Sequence, residues 1–231
     1  MSYSFEPIGV MHSCFAEKFA IPRQPQLAPA ARGMLELFAP YDKPEAVAGL
    51  EGVSHLWLLF VFHAAASGEQ HVRVRPPRLG GNKRIGVFAS RSTHRPNPIG
   101  QSVVRLEGIE PGRLLVSGID LLDGTPILDI KPYVPYADAL GDARNSLAES
   151  APAQLLVEWS APALLQAREQ AQRLQQPVQE LIEQCLAQDP KPAYQRPDAD
   201  REYGVRFWDI NVRWHYPQAD RIRVLAVEPV A

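Results

Sequence analysis

RLLVSGIDLLDGTPILDIKPYV, Arg113 to Val134, is the stretch whose reading decides the fold. Two aliphatic, β-branched runs flank Asp123-Gly124, a dipeptide suited to a tight turn between paired strands. The segment reads as strand, turn, strand. Working outward, FEPIGVMHS (5–13) is a short strand and PRQPQLAPAARGMLELFAP (22–40) a proline-rich loop leading into another. SHLWLLFVFHA (54–64) is an aromatic and β-branched run of buried-strand length. QHVRVRP (70–76) alternates, with Val72 and Val74 on one face and His71, Arg73 and Arg75 on the other. Many short strands with close turn signals predict a mainly β chain, a barrel or a sandwich. No run of βαβ units and no GxGxxG or Walker-type loop occurs, so a doubly wound dinucleotide fold is not expected.

The character changes after DALGDARNSLAESAPA (138–153), a small and polar linker. APALLQAREQAQRLQQPVQELIEQCLAQ (161–188) has helical spacing. Its predicted apolar face is Leu164, Leu165, Ala167, Ala171 and Leu174, then Val178, Leu181, Ile182, Cys185 and Leu186, with Pro177 as a kink or break. YGVRFWDINVRWHYP and RIRVLAVEPV read as an antiparallel pair. Continuous alternation puts Val205, Phe207 and Asp209 on one face, with Arg206, Trp208 and Ile210 opposite. The expected division is a first domain over 1–145 and a smaller C-terminal α+β domain over 150–231.

The 231 residues are 45% hydrophobic, which supports a packed core, and carry a formal net charge of −2. That near-neutral sum hides a block from Gln70 to Leu106 with eight Lys or Arg and no Asp or Glu. Such local cationic density suits one specific anion or RNA rather than non-specific coating of nucleic acid. Cys14 and Cys185 lie far apart with no CxxC, so no disulfide framework is expected. The N-terminus lacks a secretory leader pattern and LWLLFVFHAAA is too short to span a bilayer, so the expected compartment is the cytoplasm, with no membrane partner.

Four stretches bear on chemistry. RSTHRPNPIGQS (91–102) is stiffened by Pro96 and Pro98 and presents Arg91, Ser92, Thr93 and Arg95 at low ordering entropy; a plain solvated connection accounts for it equally well. Gly100 permits close backbone approach. DLLDGTPILDIKPY (120–133) clusters Asp120, Asp123 and Asp129 about an ordinary turn. Its end places an acid and an aromatic where one accepts from an exocyclic amine and the other stacks on its base. PRQPQLAP (22–29) offers Gln24 and Gln26 in a stiff loop, which taken alone reads better as a surface linker. REYGVRFWDINVRWHY (201–216) interleaves Arg201, Arg206 and Arg213 with Tyr203, Trp208, Trp214 and Tyr216, a pattern that serves unpaired RNA bases or a small core alike. The six histidines show no ligand spacing, so no metal site is expected.

PRQPQL, HLWLLFVFH, RPPRLGG, RIGVFASRSTHRPNPIGQS, DLLDGTPILDIKPYVP and NVRW together resemble the TrmO family of tRNA adenine N6-methyltransferases, through nearly the whole chain. The resemblance implies a non-Rossmann β-barrel that binds S-adenosylmethionine, and a homodimer with the cofactor near the subunit interface. It implies methylation of N6 of threonylcarbamoyl-adenosine, 3′ of the anticodon, chiefly in threonine tRNA. The C-terminal domain is expected to help hold the tRNA. Carried onto this chain, cofactor contacts fall at Pro25, Gln26, Leu27, His63, Ala64, Arg91, Gln101, Leu121, Leu122, Asp123, Gly124 and Thr125. RNA contacts are expected at Arg95, Arg206, Asn211, Arg213 and Trp214. Arg91 suits the donor's carboxylate as a bidentate fork, and Asp120 or Asp123 its ribose or ammonium. Asp129 or Tyr133 is expected to hold the reacting nitrogen, and Lys131 to stabilise the threonylcarbamoyl group. The rival expectations are a non-catalytic RNA-binding barrel and a methyltransferase with another substrate.

Overall fold

The computed structural model describes residues 3–65, 72–76, 83–191, 195, 198 and 200–230. The apolar runs of the first half become β1 (Gly9–Ser13), β2 (Arg32–Leu37), β3 (His55–Val61), β4 (Arg73–Val74), β5 (Ile85–Gly86), β6 (Ile99–Glu110), β7 (Arg113–Ser117) and β8 (Thr125–Pro132). Six of them close into an antiparallel barrel in the order β1-β2-β7-β6-β3-β8, which removes every unpaired edge. Period-two alternation fills the interior: Leu56, Leu58 and Phe60 of β3 are buried with Met11, Leu35, Leu114 and Ile127, while His55, Trp57, Leu59 and Val61 face outward. Gly100 of β6 pairs with Phe60, and a Cβ there would sit 2.3 Å from that ring. Only glycine lets the ring lie across the strand.

The quoted stretch is strand, turn, strand, yet not a hairpin. β7 pairs with β2 and β6, whereas β8 pairs with β1 and β3. The segment between them crosses one end of the barrel. Its turn is tied to β1 and the residues after it: Ser13 N donates to Asp123 Oδ1 (2.8 Å), Gly124 N to Met11 O (2.9 Å) and Asp123 N to Phe15 O (2.9 Å). Gly124 has φ 75°, the region open to glycine at the third position of a tight turn. QHVRVRP is shorter than expected: only Arg73 and Val74 are in a strand, Val72 is 78% exposed, and His71 lies outside the described residues, as does most of RPPRLGG.

Short helices α1 (Pro44–Val47) and α2 (Pro135–Asp138) decorate the barrel. The second half builds β9 (Leu156–Trp159), α3 (Ala161–Leu174), α4 (Val178–Leu186), β10 (Tyr203–Phe207), β11 (Ile210–Gln218) and β12 (Arg221–Pro229). Its sheet runs β10-β11-β12-β9, with β9 parallel to β12. Ser160 caps α3, its Oγ accepting from Ala163 N (3.2 Å). The chain breaks at Pro177, and α4 buries Val178, Leu181, Ile182, Cys185 and Leu186, as its spacing predicts. α3 differs: Ala163, Ala167 and Gln170 are buried and Leu165 is 59% exposed. The helix lies on β12, and small residues allow that close approach. The tail also differs. Trp208-Asp209 is a tight turn with Trp208 at φ 49°, so alternation resets and Ile210 is buried with Val205 and Phe207.

The two halves share one continuous hydrophobic core. The chain between β1 and β2 forms the seam. Phe15 bridges to Phe207 with ring centroids 6.0 Å apart, Trp208 N donates to Cys14 O (2.8 Å), and Phe19 stacks on Trp214 at 5.9 Å. Cys14 and Cys185 are both buried free thiols at this seam.

Candidate active site

The outer face of β8, β3 and β6 carries the chemistry. Register lines up Lys131, Trp57 and Val103 in one row across β8, β3 and β6, and Asp129, Leu59 and Gln101 in the next. Above this face lies a cleft of about 390 Å³, lined by Pro25, Gln26, His55, Trp57, Arg91, Gln101, Ser102, Val103, Tyr133 and Asp138. Its size is within the range of small-molecule sites, roughly 300–1,000 Å³. Four expected cofactor residues, Pro25, Gln26, Arg91 and Gln101, thus meet from three separate parts of the chain. Pro25 and Gln26 sit on a one-turn 3-10 helix, Pro25–Leu27. Arg91 and Gln101 bracket the proline loop, whose X-Pro bonds at Pro96 and Pro98 are both trans. Gln24 Oε1 accepts from Arg91 Nη1, joining the first loop to the second.

The opposite wall is aromatic. Tyr133 and Trp57 have ring centroids 5.9 Å apart, and Tyr133 lies 6.3 Å from His55. Trp57 is fixed by donating Nε1–H to Asp138 Oδ2 (3.0 Å), which also accepts from Val134 N (2.8 Å). The Val134 amide, then Trp57, hold the Asp138 carboxyl below its ordinary value. Behind the cleft, on the inner side of β6 where Ser102 stands across from the buried Leu58, Ser102 Oγ donates to Asp120 Oδ1 (2.6 Å). Burial raises the Asp120 carboxyl to about 6, against the lowering pull of Ser102, its own backbone and the Arg91 charge.

Other expected contacts stand elsewhere. His63 and Ala64 follow β3 at the barrel's end, where Ala64 O accepts from Lys18 Nζ. Leu121 to Thr125 form the crossing segment; Leu121 and Thr125 are buried, Thr125 Oγ1 donates to Leu122 O (2.6 Å), and Asp123 and Gly124 are exposed. Leu27 O accepts from Gln188 Nε2 (3.3 Å) and faces the seam. Asp129 and Lys131 pair with each other at 2.8 Å on the outer face, beyond the cleft lining that Tyr133 reaches. Arg95 turns back on its own loop, donating to Ser90 O (2.6 Å) with its guanidinium 5.9 Å from the Phe88 ring centre.

Trp214 requires a correction. It is fully buried, stacked between Phe19 and Tyr203, and is core rather than an RNA platform. Arg213 is held by Glu202 (2.8 Å) and lies 3.8 Å from Glu228. Arg206 is exposed, with no side-chain ion pair among the described residues, and stands across from the half-buried Asn211. Sequence reasoning missed His55, Trp57, Ser102, Val103 and Asp138 as cleft residues. The outward positions of SHLWLLFV were visible, but the pairing that sets them beside Gln101 was not.

A closed antiparallel barrel with a side cleft of Arg, Gln and aromatics, joined to an α+β sheet domain, defines a two-part barrel protein outside the Rossmann class. Residues 10–139 match the family model described as tRNA-methyltransferase O N-terminal domain, and residues 152–230 match the TrmO C-terminal domain. The chain belongs to the TrmO family. It is 48% identical over 234 residues to the tRNA (adenine(37)-N6)-methyltransferase of Escherichia coli, covering 99% of each chain. It is 67% identical over 227 residues, 98% of each chain, to RcsF of Pseudomonas aeruginosa, named as a candidate S-adenosylmethionine-dependent methyltransferase. A crystal structure of TrmO from Pseudomonas aeruginosa superposes with a TM-score of 0.87 at 62% identity, covering 98% of each chain.

Proposed function

We propose that this chain is an S-adenosylmethionine-dependent tRNA methyltransferase that methylates N6 of adenosine 37, acting on the threonylcarbamoyl form in threonine tRNA. The observation that carries the reading is the cleft itself: a cationic and amide wall, Arg91, Gln26 and Gln101, faces an aromatic wall, Trp57 and Tyr133. S-adenosylmethionine supplies an electrophilic methyl group on a sulfonium. The residues present fit that donor. Arg91 offers a planar fork to a carboxylate. Gln26 and Gln101 offer amide donors and acceptors, and the aromatic wall takes a flat base. Because methyl transfer depends chiefly on alignment, rigid walls serve it well, and both loops here are stiffened by proline.

The threonylcarbamoyl group is anionic, and the Arg91 guanidinium in the cleft wall suits it. A homodimer is supported by the outward apolar residues Leu59, Val61, Ile99 and Val103 beside the cleft, which a second subunit would cover. The test is methyl transfer to threonine tRNA with and without the threonylcarbamoyl group, read by nucleoside mass spectrometry, with sedimentation for assembly. Equal methylation of both tRNAs would remove the threonylcarbamoyl requirement. A strictly monomeric active enzyme would remove the dimer.

A further inference from the structure

We propose that Trp57 is the platform on which the target adenine of the tRNA stacks, and that Asp138 is a positioning residue that sets the plane of its indole. The inference rests on the methyltransferase reading and assigns the aromatic wall to the substrate base rather than to the donor. Three observations carry it. Trp57 lines the cleft from an outward position of β3, half-buried, with Val103 across from it on β6 and Lys131 on β8. Its one polar atom is already satisfied, since Nε1–H donates to Asp138 Oδ2 at 3.0 Å. That same oxygen accepts from Val134 N at 2.8 Å, so the carboxylate is itself anchored at the start of α2. Tyr133 meets the indole tilted by 43° with ring centroids 5.9 Å apart, and so stands beside the ring rather than stacked on its face.

An indole whose N–H is committed offers a ligand its face and its apolar edges, and aromatic faces take unpaired bases. A ring pinned at that N–H also loses little freedom when a base lands on it. Stacking engages the face of the base and leaves its edge open. N6 sits on that edge, so a stacked adenine keeps the reacting nitrogen clear for the methyl group.

The cleft also separates the two purines that its ligands bring. The end of the donor that bears the carboxylate is the end that bears the sulfonium. A carboxylate held by Arg91 therefore brings the methyl group in from that wall, and the nitrogen that receives it must approach from the other, where Trp57, Tyr133 and Asp138 stand. If Asp138 served only to close the one turn of α2, its loss would fray a surface helix and leave the substrate untouched.

Trp57→Ala is expected to lower kcat/KM for threonine tRNA by about tenfold or more, while calorimetric affinity for S-adenosylhomocysteine stays within about threefold. Trp57→Phe keeps a ring face and should recover most of that loss. Asp138→Ala should cost about fivefold or more in kcat/KM for tRNA. Asp138→Asn should restore most of it, because one amide oxygen still accepts from both Trp57 and Val134. Saturating tRNA should quench the tryptophan fluorescence of the wild type, and Trp57→Phe should remove that quench. A smaller loss for Trp57→Ala overturns the platform, and a larger loss of S-adenosylhomocysteine affinity overturns it in favour of the donor's adenine. A smaller loss for Asp138→Ala, or Asp138→Asn as impaired as Asp138→Ala, overturns the positioning role. Should Trp57→Ala not fold, the fluorescence decides: a quench that survives in Trp57→Phe sinks the platform. Wild-type enzyme that methylates no tRNA adenosine would instead bring down the parent reading, before any variant is made.

Discussion

Because burial holds the Asp120 carboxyl at about 6, its ionisation opposes folding. In the unfolded chain an Asp titrates near 3.9. Between those values the folded protein binds more protons, so this group's share of stability declines as pH rises from about 4 to about 6 and the cost is complete above that. Two units correspond to about 2–3 kcal/mol. Asp120→Asn should therefore melt several degrees above wild type at pH 7.5, with the gap closing at pH 4, by calorimetry. Arg91→Lys keeps the charge and loses the fork, so donor affinity should weaken by about tenfold in titration calorimetry. At this scale the sequence named residues that the fold brings together, since Arg91, Gln26 and Gln101 line one cleft. It misled at Trp214, since an aromatic flanked by arginine looks the same on an RNA surface and in a small core. Ser102 was opaque: its acceptor lies eighteen positions away, and only the pairing of β6 with β7 brings the two together.

Elements explain how the cleft keeps its shape. α4 and the turn that follows it reach across the seam with two glutamines, Gln184 and Gln188. Gln184 Oε1 accepts from Ala30 N (2.9 Å), Gln188 Oε1 from Arg23 N (3.2 Å), and Gln188 Nε2 donates to Leu27 O (3.3 Å). Together they clasp the loop that carries Pro25 and Gln26. Truncating Gln188 leaves a part-buried amide and carbonyl without their partner, which costs about 1 kcal/mol. Gln188→Ala should lower the melting temperature and weaken S-adenosylhomocysteine binding several-fold in calorimetry, although the side chain stands outside the cleft. The strands themselves were readable from alternation and turns. Their partners were not, because a turn dipeptide fixes a local reversal and says nothing about which strand lies alongside. Asp123-Gly124 turns the chain as expected and still delivers β8 to β1 and β3 rather than to β7. The apolar face of α3 failed for a related reason. Hydrophobicity favours Leu165, whereas close packing on a sheet favours Ala163 and Ala167.

Over the whole molecule, most cations of the C-terminal sheet are held by acids. On the C-terminal sheet Glu158 is shared by Arg221 (2.7 Å) and Arg223 (2.8 Å), and Arg213 is held by glutamates, which leaves Arg206 the cation best able to meet phosphate there. Arg206→Ala should weaken tRNA binding and reduce the salt slope by about 0.7–0.9, with a smaller change for Arg213→Ala, measured by filter binding across a salt series. Unaltered slopes for both would move the RNA surface elsewhere. The seam between the halves has a use of its own. Cys14 and Cys185 are sealed there, and burial raises both thiols above their ordinary values, so neither offers a thiolate while the halves stay together. The native chain thus carries a chemical clock for the parting of its halves. Alkylation should proceed only as fast as the seam opens, quicken when Phe15 or Phe207 is cut to alanine, and slow when tRNA spans both parts.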